Sequence, residues 1–200
     1  MTELLASVPR LFNQPDTAGG RLPTRNELMQ TWRQKRQILM SSAMEAERWG
    51  HSYRRMPKRY GTALLAYRSH EKPEHRTGIF SGWNCTFRQR PKDASWPKPC
   101  SERAAKDDAF SSGFDFIFGL VNYSNNFQAD DVSGEFCDLQ HPCHECRQML
   151  EPILSPAAPM ILFRNRLSCD MDEPGTSEFV IREMTFGESL KVHKFRTGQR

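Results

Sequence analysis

The chain has 200 residues and a mass of 23.2 kDa, enough for one substantial domain with room for an appendage. Three of its six cysteines, Cys85, Cys137 and Cys169, fall in no pairing pattern; there is no basic-then-apolar leader and no run near the roughly 20 apolar residues of a membrane span, so composition argues against secretion and membrane insertion and for a soluble protein of the reducing cytoplasm. The net charge of +4 is uneven, since residues 1–60 carry 11 Lys and Arg against 5 Asp and Glu while residues 61–200 carry 17 against 19, which assigns any basic surface to the N-terminal third.

Residues 1–24, with Pro9, Pro15, Pro23 and Gly19-Gly20, read as a loose lead segment, and 25–200 as one domain with a leading helix over 25–50 and a core over 55–190. Thr24 and Glu27 form a capping box, Leu28, Trp32, Ile38, Met44 and Trp49 approximate an apolar face, and Gly50 marks the helix end. The densest basic run, Arg54-Arg55-Met56-Pro57-Lys58-Arg59, precedes two strands, 60–67 and 78–86, which read as a hairpin. A loop over 87–99 leads to a helix over 100–111 and a strand over 114–122; a second loop, 123–141, leads to a helix over 143–154. Strands over 160–164 and 179–183 and a closing helical turn over 185–190 complete the chain. This alternation predicts an α/β fold: three layers, α/β/α, around a mixed five-stranded sheet in which an antiparallel opening pair is continued by parallel strands. Both cysteine-bearing helices are expected on one side, their N-termini converging.

Two short stretches carry chemistry: Pro99-Cys100-Ser101-Glu102-Arg103 and Pro142-Cys143-His144-Glu145-Cys146-Arg147-Gln148. Cys100, Cys143 and Cys146 offer three thiolates to a zinc ion and leave the fourth tetrahedral position open, the difference between a catalytic zinc and a closed structural one. Water in that position loses a proton near pH 7 instead of about 15.7. Glu102, two residues past a ligand, is the candidate general acid and base. The cysteines alone also allow a structural zinc completed by His141 or His144, or a redox pair, but both leave Glu102 without a purpose.

The ligand-x-Glu and Pro-Cys-x-x-Cys pairing is the signature of zinc deaminases. The two stretches resemble the Cys-Ala-Glu-Arg and Pro-Cys-x-x-Cys-Arg-Gln motifs of the cytidine deaminase superfamily, in its three-cysteine branch, which includes cytidine and blasticidin S deaminases. Upstream, Gly61-Thr62-Ala63-Leu64-Leu65 resembles the family's Gly-Ala-Ala-Leu-Leu strand, and Phe80-Ser81-Gly82-Trp83-Asn84 its Phe-x-Gly-x-Asn strand end. The resemblance spans about residues 55–190. It implies that Arg103 donates to a ligand sulfur, that Asn84 contacts a sugar, and that the backbone amide near Ser101 holds a base carbonyl.

The chain departs from that pattern at Asn84-Cys85-Thr86, where the family has Asn-x-Glu, and at Lys58, where ungapped alignment puts a base-flanking phenylalanine. A sugar-altered or enlarged ligand is therefore allowed. The leading reading is zinc-dependent hydrolytic deamination of cytosine to uracil in a small nucleoside-like substrate. An alternative is a deaminase of single-stranded DNA or RNA, with Arg54, Arg55, Lys58, Arg59, Arg88 and Arg90 on phosphates beside Phe87 and Trp96. Another is a zinc-stabilised nucleotide- or protein-binding module without catalysis. The three-cysteine relatives also imply a homo-oligomer.

Overall fold

Thr24 opens the first helix with the reciprocal bonds its sequence anticipates. Its amide and hydroxyl donate to Glu27 Oε2 at 2.6 and 2.9 Å, and its hydroxyl oxygen accepts from the Glu27 amide at 3.3 Å. The helix runs Arg25–Tyr53 and is α1, in a computed structural model that describes residues 23–53, 60–68, 76–84, 100–124, 141–167 and 177–197. It passes through the predicted stop at Gly50. The positive-φ glycine among the described residues is Gly113, so Gly50 does not adopt the left-handed cap conformation, and an interior glycine costs only about 1 kcal/mol relative to alanine. The apolar face also differs from expectation: Leu28, Trp32, Leu39, Ala43 and Ala46 are buried, while Ile38 and Trp49 are 52% and 56% exposed. The buried set keeps the helical period of about 3.6 residues, but two of its members are alanines and do not announce themselves as core.

Five strands follow: Tyr60–Tyr67 (β1), Thr77–Trp83 (β2), Phe116–Ser124 (β3), Pro159–Leu167 (β4) and Ser177–Thr185 (β5), with helices Ser101–Ser111 (α2), His144–Leu150 (α3) and Phe186–Thr197 (α4) between or after them. They form one sheet in the order β2-β1-β3-β4-β5. β1 and β2 are the expected antiparallel hairpin, Gly61 facing Trp83 and Tyr67 facing Thr77. The expected parallel continuation is found between β3 and β4, but β3 joins the other edge of β1 antiparallel and β4–β5 is antiparallel again. The reason is that α2 carries the chain over β1. β2 and β3 run in the same direction, but with β1 between them. The closing turn is a full helix, opened by a second capping box in which Thr185 and Glu188 exchange bonds of 2.7–3.2 Å.

The three-layer α/β/α architecture follows from which face each residue takes. Leu28, Trp32, Leu39 and Ala43 of α1 pack on Ala63, Leu65, Val121, Tyr123, Ile161 and Phe163. The opposite face joins Leu64, Leu120, Met160 and Leu162 to Ala105 of α2, Leu150 of α3 and Phe186 of α4. A bulge in β3 sets this parity. The β1–β3 register skips Phe118, passing from Leu65–Gly119 to Ala66–Ile117, and Phe118 and Gly119 both face α1, a Cβ on Gly119 running into the Trp32 ring. Beyond the bulge Leu120 and Asn122 therefore face α2 and α3. No helix among the described residues is long and apolar enough to cross a membrane.

Candidate metal centre

Two glycines let helices approach the sheet closely, one on each face, and the second builds the site. A Cβ on Gly61 would collide with the Ala43 carbonyl, so β1 lies backbone-to-backbone against α1; a Cβ on Gly82 would stand 2.6 Å from Ser101 O and Ala105 N, so β2 lies equally close to the first turn of α2 on the other face. That contact presses the N-terminus of α2 onto the sheet. Cys100 and Cys143 are the N-cap residues of α2 and α3, both extended, and neither side chain caps its helix. Their carbonyls accept the first helical bonds, from Ala104 N at 3.1 Å and Arg147 N at 2.9 Å, which leaves the sulfurs to point between the two helix ends.

The sulfurs of Cys100, Cys143 and Cys146 all lie within 4.8 Å of one another. Cys100 and Cys143 are 3.7 Å apart, far too long for a disulfide of about 2.05 Å. A tetrahedral centre with metal–sulfur bonds of about 2.3 Å separates its sulfurs by about 3.8 Å, so the donor set fits zinc. Among the described residues no fourth His, Cys, Asp or Glu joins the cluster. Of the two histidines that could have closed it, His141 places Nδ1 2.8 Å from Ser189 Oγ on α4, and His144 is exposed.

Glu102 is buried at 4% exposure beside the cluster. Its Oε2 lies 3.5 Å from Cys146 Sγ and accepts from Ser101 Oγ at 3.2 Å; its Oε1 accepts from Asn122 Nδ2 at 3.1 Å. Asn122 Oδ1 accepts from Thr62 Oγ1 at 2.7 Å, and Thr62 Oγ1 is also 2.8 Å from Ser101 Oγ. Burial pushes the Glu102 carboxyl above its ordinary value. Hydrogen bonding to Cys143, together with burial, pushes the Cys100 thiol up to about 12, and Cys146 is raised by its contacts with both other cysteines. The cause is crowding. Three thiols and a carboxyl this close together cannot all carry negative charge unless a cation joins them, and a divalent metal would supply that charge.

Of the other residues singled out from the sequence, Ser101 is buried at the cluster through its hydroxyl. Asn84 sits at the open end of the β1–β2 pair, where its Oδ1 accepts from the Tyr60 amide at 2.8 Å. Arg103 is partly buried, and its Nε is a buried donor without an acceptor among the described residues. Arg54, Arg55, Lys58, Arg59, Arg88 and Arg90 lie outside the described residues, as do Cys85, Cys137 and Cys169.

Four site residues escape sequence reasoning. Thr62 and Asn122 are polar positions in otherwise apolar strands, and that interruption is the signal that could have found them. Arg147, 7% exposed, reaches the Cys143 carbonyl with Nε at 3.5 Å, and its buried Nη2 also lacks an acceptor among the described residues. Burial pulls its guanidinium below the ordinary value while the Cys143 charge works the other way, so it shares the surroundings of the Cys143 sulfur. Tyr60 shares the face of Thr62, because Gly61 between them faces α1; burial and the Glu102 charge both raise its phenol.

No protein-family model matches the chain, and no curated protein matches it. Similar solved structures include a cytidine deaminase from Burkholderia pseudomallei, with 18% identity and a TM-score of 0.46 over 76% of this chain and 94% of that one. Another is a cytidine deaminase from Mycobacterium leprae, with 14% identity and a TM-score of 0.36 over 62% of this chain and 84% of that one.

Proposed function

We propose that the chain is a zinc-dependent hydrolase that converts cytosine to uracil in a small nucleoside-like substrate and releases ammonia. The observation that carries this reading is one buried carboxyl, Glu102, in contact with Cys146 Sγ but outside a cluster of three sulfurs that has no fourth protein ligand among the described residues. The resemblance of residues 99–103 and 142–148 to the deaminase motifs supports it.

Cys100, Cys143 and Cys146 hold the zinc. When bound, zinc supplies a Lewis acid that lowers the pKa of water from 15.7 to about 7. Glu102 takes the proton from the attacking water, delivers it to the ring nitrogen of cytosine, and carries the next proton to the departing amine. The carbon–oxygen bond forms and the carbon–nitrogen bond breaks, so water and cytosine balance uracil and ammonia. Burial raises the Glu102 carboxyl above its ordinary value, which favours its role as proton acceptor. Arg103 and Arg147 offset the charge of the thiolates. Asn84 contacts the sugar, and the Ser101 amide holds the base carbonyl.

The test is a substrate panel of cytidine, deoxycytidine, their phosphates, blasticidin S and cytosine-bearing oligonucleotides, read by ammonia release and product mass. Turnover of at least one small cytosine compound by zinc-loaded protein, reduced by about 10²–10⁴-fold in Glu102→Gln, is the expected result. Zinc-loaded protein inert toward the whole panel sinks the proposal.

A further inference from the structure

Thr62 and Asn122 stand directly opposite each other in the β1–β3 register, at 0% and 2% exposure, on the face that α2 covers. Burying a hydroxyl and an amide in a sheet interior is unfavourable unless both are bonded, and here each bond leads to Glu102. The Thr62 hydroxyl donates to Asn122 Oδ1. With its oxygen so engaged, the Asn122 amide presents Nδ2 to Glu102 Oε1; the flipped amide would set its oxygen against the carboxylate oxygen, two acceptors facing each other. Ser101 meets both ends of the chain, 2.8 Å from Thr62 and 3.2 Å from Glu102 Oε2. One carboxyl oxygen is thereby tied to the sheet, and the other is turned to Cys146.

We infer that Thr62 and Asn122 are positioning residues, a cross-strand brace that holds the Glu102 carboxyl in one orientation beside the sulfur cluster. The kinetic half of this inference rests on the proposed deaminase function; the geometric half does not. Thr62 acts through Asn122, and Asn122 through Glu102.

The test uses the zinc-loaded full chain as wild type, Thr62→Val and Thr62→Ser, with Thr62→Ala in place of valine if valine is not accommodated. Hydrogen exchange of the Asn122 side-chain amide, assigned as the resonance pair missing from Asn122→Leu, reads the brace directly. Loss of the hydroxyl should speed that exchange by about tenfold or more, and serine should restore it. Kinetics read the consequence: kcat for a cytosine nucleoside should fall about 10- to 100-fold in Thr62→Val at unchanged KM and zinc content, a misplacement of ~1 Å costing on the order of 10²-fold. Serine should recover kcat to within about threefold. Exchange and kcat in Thr62→Val that match wild type overturn the brace, as does a serine variant as impaired as valine. If no form turns over any substrate, the deaminase reading fails, and the amide exchange alone decides for or against the brace.

Discussion

The two faces of the sheet are built from the same strands and come out as different materials. On the α1 face the packing is largely apolar, although Glu47 is buried there too, with aromatic pairs such as Tyr123–Phe163 at 4.8 Å and Tyr67–Phe116 at 5.1 Å between centroids. On the other face the β1–β3 pairs change character along the strands, from Leu64–Leu120 to Thr62–Asn122 to Tyr60–Ser124 as the chain nears the ends of α2 and α3. Both faces carry apolar core. The second gives up apolar contact toward one end, two residues at a time, to bring polar groups to the cysteines.

The strongest way to break this division is to remove a cysteine. Cys100→Ala, Cys143→Ala or Cys146→Ala should each lose most of the bound zinc and lower the melting temperature, because metal binding energy is in part folding energy. The same change at Cys85, Cys137 or Cys169 should leave metal content intact. Elemental analysis beside thermal unfolding checks both statements.

Next in size is Glu102→Gln, which keeps shape and hydrogen bonding but cannot accept a proton. Turnover should fall by about 10²–10⁴-fold with zinc unchanged. Zinc lost along with activity would make Glu102 a ligand and dissolve the distinction between cluster and carboxyl.

The two close-approach glycines sharpen the comparison of faces. Gly61→Ala forces β1 and α1 apart and should destabilise by about 1–3 kcal/mol while the folded fraction keeps its zinc. Gly82→Ala meets the backbone of Ser101 and Ala105 at 2.6 Å, so a similar loss of stability should come with displacement of the first turn of α2 and weaker metal binding. Denaturant titrations paired with zinc affinity distinguish the two. Equal loss of metal in both would show that the faces are not independent.

The smallest effect belongs to Tyr67, 1% exposed on the α1 face. Burial, with the Asp115 charge second, pushes its phenol up to about 12 from an ordinary value of 10.0. The folded state therefore favours the neutral phenol: this contribution is fully present below pH 10.0 and is lost as pH rises toward 12. Stability should fall in that window by up to about 1.4 kcal/mol per pH unit, and Tyr67→Phe should remove that part of the slope. Chemical denaturation at stepped alkaline pH, wild type against variant, makes the measurement.

Signals that act within a few residues were legible without coordinates. The capping box at Thr24–Glu27, the hairpin of β1 and β2, and the seating of Cys100 and Cys143 at helix starts depend on local backbone geometry, and the amino-acid order determined them. Such signals misled where a long-range contact overrode them: Gly50 reads as a stop until α1 is seen to continue, and Ala43 and Ala46 read as neutral until Gly61 draws the backbone of β1 against α1. Only the tertiary structure decided that β3 pairs with β1, that the skipped Phe118 turns Asn122 toward α2, and that Thr62 stands opposite it. Strand register and face depend on neighbours far away in sequence, and a single extra residue reverses which side every later side chain takes. The cysteines and Glu102 could be read from their spacing; the partners that orient Glu102 could not, because they meet it only through the sheet.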